Sequence, residues 1–186
     1  MSTVIEPRQA DAVAAATDTR PLPDANTGFS ASTPREFLSF RLGNEEYAID
    51  ILRVQEIRSY EKPTRIANTP HFIKGVVNLR GVIVPIVDLR LIAGCESAGY
   101  DVSTVVIVLN VHGRVIGAVV DSVSDVLEIG AQDIKPAPPL GSSIEADHIM
   151  GIGCIKNGEV ERMLILTDIE ALIGSVGMAS MDVALH

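Results

Sequence analysis

This chain repeats itself. Val54-Gln-Glu-Ile57 returns as Val126-Leu-Glu-Ile129, and Asp88-Leu-Arg-Leu-Ile-Ala-Gly94 returns as Asp168-Ile-Glu-Ala-Leu-Ile-Gly174. The segments between them also follow one order twice. Phe37–Leu42 and Glu45–Ile51 flank Gly43-Asn44, and Thr104–Val111 and Arg114–Val120 flank His112-Gly113. Gly75–Leu79 and Val82–Val87 flank Arg80-Gly81, and Met150–Ile155 and Val160–Leu166 flank Asn157-Gly158. Apolar runs around a two-residue, glycine-containing turn are hairpin signals. Each copy therefore reads hairpin, V-x-E-I strand, loop, hairpin, short helix. Asp88 and Asp168 are N-cap candidates, because a short carboxylate can accept from the first free amides of a helix. Gly94 and Gly174 are the matching stops. Pro85 predicts an edge position or a bulge, since proline cannot donate to a ladder.

The composition points the same way. Val (21) and Ile (20) dominate, while aromatic residues are only 4 % and Trp is absent. β-branched residues suit a half-buried pleated surface. The expected fold is all-β: two small barrel subdomains packed together, with short helices, one of them near the C-terminus. The first barrel spans about residues 36–94 and the second about 102–174, with the exchange of strands between them left open. A lone barrel of about 60–70 residues is only marginally stable, so packing the two together buries more apolar surface and leaves a groove. Residues 1–35 carry seven Ala, four of the ten Pro and one aromatic residue, with no periodic pattern. They read as a disordered arm, too poor in apolar surface to offset its ordering entropy. Residues 175–186 read as a tail.

A net charge of −9 argues against a nucleic-acid or anionic-lipid partner, which calls for a basic stripe. The charge is uneven: residues 53–90 hold seven basic and three acidic residues, and residues 101–186 hold four basic and twelve acidic. That asymmetry suits oriented protein docking, although on charge alone two ordinary solvated faces are the preferred reading. Cys95 and Cys154 have no metal-ligand or disulfide spacing and read as small buried thiols in a reducing compartment. No apolar run reaches the eighteen or so residues of a membrane span, and Ala12–Ala16 is too short for a signal peptide, so a cytoplasmic location is expected.

No catalytic set can be assembled. The four His are dispersed without a metal spacing, no Ser or Cys lies in a nucleophile motif, and Gly151-Ile-Gly153 lacks the rest of a dinucleotide loop. No cofactor and no metal are expected, and the chain reads as a non-enzyme. What remains are groups suited to binding. Val54 and Val126 head the two V-x-E-I segments and are expected to be equivalent, with Val123 just before Val126. A β-branched residue is more often core than surface. Glu56 lies in an apolar run and Arg80 at a hairpin tip, so a carboxylate and a guanidinium close to one groove can pair and hold the two segments in register; the alternative is two solvated charges of little energetic weight. Gly81 is expected to supply a conformation that other residues resist.

The run Phe37-Leu-Ser-Phe-Arg-Leu-Gly-Asn-Glu-Glu-Tyr-Ala-Ile-Asp-Ile-Leu-Arg-Val-Gln-Glu-Ile57 resembles the opening of the CheW family of chemotaxis coupling proteins. Gly75-Val-Val-Asn-Leu-Arg-Gly-Val-Ile-Val-Pro-Ile-Val-Asp-Leu89, Val119–Leu127 and Arg162–Leu166 continue the resemblance, over about residues 36–174. The resemblance implies two SH3-like five-stranded barrels and a non-catalytic adaptor. Its partners would be the cytoplasmic tip of methyl-accepting chemotaxis receptors and the regulatory domain of the histidine kinase CheA. The adaptor would sit in the cytoplasm, held at membrane receptor arrays by these partners. No kinase, phosphotransfer or receiver segment is recognised, which favours a stand-alone coupling protein. Val54, Glu56, Ile57 and Arg80, with Val123 and Val126, match the family's receptor-binding region. Gly75 and Gly117 match positions where a side chain is poorly tolerated. The alternative is an SH3-like binding module of another signalling pathway.

Overall fold

The computed structural model describes residues 33–95, 99–139 and 146–177. The expected arm falls almost wholly outside these residues, as does most of the expected tail. The strands are Arg35–Leu42 (β1), Glu45–Asp50 (β2), Val54–Ser59 (β3), Ile73–Leu79 (β4), Val82–Asp88 (β5), Val105–Val111 (β6), Arg114–Val120 (β7), Ser122–Ile129 (β8), Ile134–Lys135 (β9), Ile149–Asn157 (β10) and Val160–Thr167 (β11). Two helices, Leu89–Ile92 (α1) and Ile169–Ser175 (α2), follow β5 and β11.

The chain is all-β with two sheets. One runs β8-β1-β2-β11-β10-β9 and the other β3-β6-β7-β5-β4. Each sheet draws strands from both halves of the sequence. The β1–β2 hairpin joins the strands of the second half, and the β6–β7 hairpin joins those of the first. The gap near residues 94–102 thus divides the repeat and not the sheets. The first sheet has six strands where five were expected; the sixth is the two-residue β9, paired at Ile152–Lys135 and Gly153–Ile134. Its counterpart in the other half is a single bridge, Thr64 to Val76.

Closure follows one rule in both sheets. β2 pairs with β11 in parallel through Ala48–Leu166, and β7 pairs with β5 in parallel through Gly117–Ile86. Pro85 is therefore on an interior strand, not an edge one, but it lies just ahead of the Ile86–Asp88 stretch that meets β7.

Burial divides into three cores. The largest lies between the sheets and takes Leu38, Phe40, Tyr47 and Ile49 from one, and Val87, Ile107, Leu109, Ile116 and Ala118 from the other. Leu172 and Ile173 of α2 also enter it. Phe37, Ala48, Ile129, Leu164 and Leu166 fill one barrel, and Val84, Ile86, Val106, Val108 and Val119 fill the other. Period-2 alternation sends odd and even residues of one strand to different cores: Phe37 into a barrel, Leu38 between the barrels. Both faces of the inner strands are apolar for this reason.

The helix caps behave as their residue types dictate, with one difference. Asp88 accepts from the Arg90 amide at 3.1 Å, and Asp168 accepts from the amides of Glu170 and Ala171 at 3.1 Å each. Gly94, at φ +84°, follows α1 as expected. Gly174 does not stop α2: the helix runs on to Ser175 and Gly177, at φ +97°, follows it. The docking of Leu172 and Ile173 in the central core carries the helix through that glycine.

Candidate functional site

β3 is an edge strand, bonded only to β6 within its sheet. It starts against the central core with Val54, which is half-buried, and then leaves it. A register shift between Val54 and Glu56 breaks the alternation, a β-bulge that re-aims the side chains after it. Ile57 is 45 % exposed as a result of this geometry.

Glu56 meets Arg80. The Arg80 Nη2 donates to Glu56 Oε2 at 2.8 Å, and Arg58 Nη1 donates to Glu56 Oε1 at 3.4 Å. The carboxylate is thus shared by two guanidiniums through one contact each, rather than forked by Arg80 alone as the residue type allows. Both neighbours favour the ionised acid, and the hydrogen bond from Arg80 is the main reason that the Glu56 carboxyl titrates below its ordinary range. The Arg80 side chain remains 76 % exposed, so it presents charge to solvent while tied at its tip.

The turn explains how Arg80 is presented. Arg80 and Gly81 have φ of +52° and +87°, the left-handed pair of a two-residue hairpin turn. Asn78 Oδ1 accepts from the Gly81 amide at 2.8 Å and braces it. A Cβ on Gly81 would meet nothing within 4 Å, so its requirement is conformational. Gly75 and Gly117 differ from it. A Cβ on Gly75 would lie 2.0 Å from the Thr64 carbonyl oxygen, and one on Gly117 would lie 2.5 Å from Ile86 Cδ1. Both are buried where two strands approach closely.

Val123 and Val126 lie on β8, at the edge of the other sheet. Val123 packs on the central core, and Val126 is 49 % exposed. The expected equivalence of Val54 with Val126 is corrected by the strand register. Leu42 and Val111 are the last residues before matching turns, so Phe40 corresponds to Leu109 and Leu38 to Ile107. Val54 pairs with Leu109 and Val123 with Phe40; Ile57 pairs with Ile107 and Val126 with Leu38. Val54 therefore corresponds to Val123, and Ile57 to Val126. The repeated V-x-E-I letters are offset by three residues from the structural repeat: Ile129 is 1 % exposed, whereas Ile57 is open.

The six candidates thus fall into two sets on two edge strands. Glu56 and Arg80 are in contact, and Val54 and Val123 share the central core. A groove of about 830 Å³ is bordered by Pro136, Pro138, Ile152, Cys154, Met163 and Ile165, and a depression of about 650 Å³ by Tyr60, Lys62, Arg65, His71, Lys74 and Tyr100. None of the six is in either lining.

Two charged clusters escaped the sequence reading. Arg90 is 1 % exposed and grips Asp88 with two contacts, Nε to Oδ1 at 3.0 Å and Nη2 to Oδ2 at 2.9 Å. It also donates to Asp121 Oδ1 at 3.0 Å and lies 4.9 Å from the centre of the Tyr100 ring, which stacks on Tyr60. Burial alone would lower its pKa, but the bonds to Asp88 and Asp121 outweigh burial and raise it. The available signal was Asp88-x-Arg90, a basic residue two places after an N-cap acid; in the other copy that place is Glu170. Arg162 of β11 is bonded to Asp125 of β8, at 3.1 and 3.2 Å, and to Glu46 of β2. Separations of 37 and 116 residues left no local signal for it. Both cysteines are free and only partly buried, not fully as expected. Among the described residues no group of three or more His, Cys, Asp and Glu is placed to hold a metal ion. No helix among them is long and apolar enough to cross a membrane.

Comparison with known proteins decides the family. The model of the CheW-like domain matches residues 36–177. The chain belongs to the CheW family. Chemotaxis protein CheW of Klebsiella aerogenes is 57 % identical over 148 residues, covering 80 % of this chain and 87 % of that one. CheW of Bacillus subtilis is 30 % identical over 141 residues, covering 76 % and 88 %. The crystal structure of the scaffolding protein TtCheW from Thermoanaerobacter tengcongensis superposes with a TM-score of 0.66 at 30 % identity, covering 78 % of this chain and 91 % of the other. This CheW-family chain is a chemotaxis scaffolding adaptor and not an enzyme. The resemblance first carried by the strand and turn motifs is the family itself.

Proposed function

We propose that this adaptor couples methyl-accepting chemotaxis receptors to the histidine kinase CheA, in the cytoplasm at membrane receptor arrays. The receptor face is the outer end of β3 with the β4–β5 turn: Ile57 as the apolar contact, and Glu56 with Arg80 as the charged one. Val54 and Val123 support the two edge strands from the central core, and Val126 extends the apolar contact on β8.

The observation that carries this reading is the Glu56–Arg80 pair. It ties a mostly exposed guanidinium on a braced, left-handed turn to an edge strand whose next residue, Ile57, is exposed. A pre-positioned charge next to an apolar residue has a low ordering cost on binding and directs the approach of a partner. The test is reconstitution of CheA autophosphorylation with a receptor cytoplasmic fragment, with and without this protein. Stimulation that requires all three components is expected. An unchanged kinase rate, with receptor present, overturns the proposal and leaves an SH3-like module of another pathway. Arg80→Ala is expected to keep its fold and CheA affinity while losing receptor affinity, and Arg80→Lys to recover part of it, because an ammonium keeps the charge but not the planar geometry.

A further inference from the structure

The depression beside the β3–β4 loop gathers basic groups that the fold does not use. Lys62, Arg65, His71 and Lys74 line it, together with Tyr60 and Tyr100, whose rings stack with centres 4.2 Å apart. Lys62, Arg65 and His71 are exposed and Lys74 is half-buried. Among the described residues none of the four makes an ion pair. The lining holds no carboxylate. Asp88, which accepts from the Tyr100 hydroxyl at 3.3 Å, is already taken by Arg90 at 2.9 Å. The groove of about 830 Å³ is different in kind, with Glu45, Glu46 and Glu161 beside Arg41 and Lys135. Like charges around one concave surface repel one another and raise the local concentration of anions. The loop that carries them is braced. Thr64 and Val76 exchange two backbone bonds of 2.9 Å, the Ile73 amide donates to the Pro70 carbonyl at 3.0 Å, and Thr69 Oγ1 donates to the Ile66 carbonyl at 3.1 Å. The basic rim is therefore set before any partner arrives, which keeps the ordering cost of binding low.

We infer that this depression is a separate docking site for an acidic polypeptide segment. Ile66, Pro70 and Ile73 lie in the same lining as the basic groups. An extended peptide with spaced carboxylates meets both kinds of surface. Its carboxylates take the basic side chains, with the planar Arg65 guanidinium able to fork onto one of them, and its methylenes take the apolar lining. Nucleic acid is a poor match, because a chain of net charge −9 lacks the wider positive surface that a duplex needs. The site is distinct from the proposed receptor face. Lys74 is near the start of β4 and Arg80 is in the turn after its end, about 20 Å of extended chain away. None of the residues proposed to meet the receptor lines the depression.

The test is binding of a fluorescent hexaglutamate peptide to the full chain, followed by anisotropy at low and at physiological salt, with tripolyphosphate as a second probe and thermal melts in parallel. The wild-type chain is expected to bind the peptide at low salt and to weaken as salt screens the contacts. Arg65→Glu should weaken peptide binding about tenfold or more, and Lys62→Gln with Lys74→Gln about three- to tenfold. Lys156→Glu makes the same charge change as Arg65→Glu near the β10–β11 turn, outside the depression, and should bind the peptide as wild type does. Arg80→Ala should also bind it normally, and Arg65→Glu should keep its affinity for a receptor fragment. No peptide binding by the wild-type chain overturns the inference, as does binding of tripolyphosphate alone, which makes the depression a small-anion site. An equal loss in Lys156→Glu reduces the effect to overall charge, and an equal loss in Arg80→Ala merges the depression with the receptor face; either result overturns the separate site. If Arg65→Glu melts well below wild type, the Lys62→Gln, Lys74→Gln variant decides: wild-type peptide affinity there overturns the inference.

Discussion

Replacing Gly75 with alanine should damage this fold far more than the same change at Gly117, although both glycines are buried. At Gly75 the new methyl would lie 2.0 Å from the Thr64 carbonyl oxygen, 2.6 Å from its carbon and 3.1 Å from Arg65 Cα. All three are backbone atoms, so no rotamer change relieves the overlap. The φ of +137° adds a conformation that L-residues rarely adopt. Relief requires the 64–65 segment to move, which breaks the two bonds of the Thr64–Val76 bridge, each 2.9 Å. Two backbone hydrogen bonds contribute about 1 kcal/mol net each, and the backbone strain costs about 1–3 kcal/mol more, giving a loss of about 3–5 kcal/mol. For a domain of this size that corresponds to a fall in Tm of about 6–20 °C. At Gly117 the close atoms are Ile86 Cδ1 at 2.5 Å and Val106 Cγ1 at 2.9 Å, both ends of side chains that can shift. The parallel pair Gly117–Ile86 has its counterpart in Ala48–Leu166, where an alanine is already accommodated. Gly117→Ala should cost about 1–3 kcal/mol, towards the low end because side-chain ends can shift. Thermal and urea melts followed by circular dichroism give both values. A Gly75→Ala protein that melts within a few degrees of wild type, or a Gly117→Ala protein that loses more than Gly75→Ala, refutes the argument from backbone proximity.

Aspartate at Val54 should lower Tm, because it places a charge against the central core, whereas aspartate at Val126 should leave the melt unchanged and weaken receptor binding; equal melts for the two would contradict the register assignment. Arg90→Met should cost about 3–5 kcal/mol in a urea melt, since it leaves Asp88 buried without its partner, and Arg90→Met with Asp88→Asn together should cost less than Arg90→Met alone. Glu56 and Asp125 are held low by Arg80 and Arg162, so in each case the unfolded chain binds the proton more tightly than the folded one. Their contribution to stability is present above the unfolded carboxyl range of about 4 and is lost as pH falls through the lower folded values. The double variant Glu56→Gln, Asp125→Asn should accordingly show a shallower loss of stability than wild type between about pH 5 and pH 2, as measured by urea midpoints.

Local elements were legible in the sequence for a physical reason. A strand of this chain is written by β-branched alternation, and a turn by residues that tolerate a positive φ. Arg80-Gly81 and His112-Gly113 are turns in the structure where the sequence puts them, each braced by an asparagine two residues before the turn pair, Asn78 and Asn110. The fourth turn is one residue later than expected, at 158–159, because β10 keeps pairing through Asn157. Asp88 and Asp168 cap their helices through bonds within three residues, so that too needed no knowledge of the rest of the molecule. The Glu56–Arg80 pair was readable because both residues stand out locally, a charge in an apolar run and a long cation on a tight turn.

Which strand lies beside which was decided only by closure of the tertiary structure. The repeat in the sequence does not say which hairpin completes which sheet; in the structure β1–β2 and β6–β7 are exchanged between the halves and build the shared core together. The repeat in letters pointed to Val54 with Val126, but hydrogen-bond register on both sides of a bulge makes the pair Val54 with Val123. The same applies to Arg162, which reaches Glu46 across 116 residues, and to Arg90, which is enclosed by Asp121 and Tyr100 after the chain has folded back. Short-range preferences act within a few residues and leave their mark in sequence, whereas a contact between distant segments depends on how the whole chain closes.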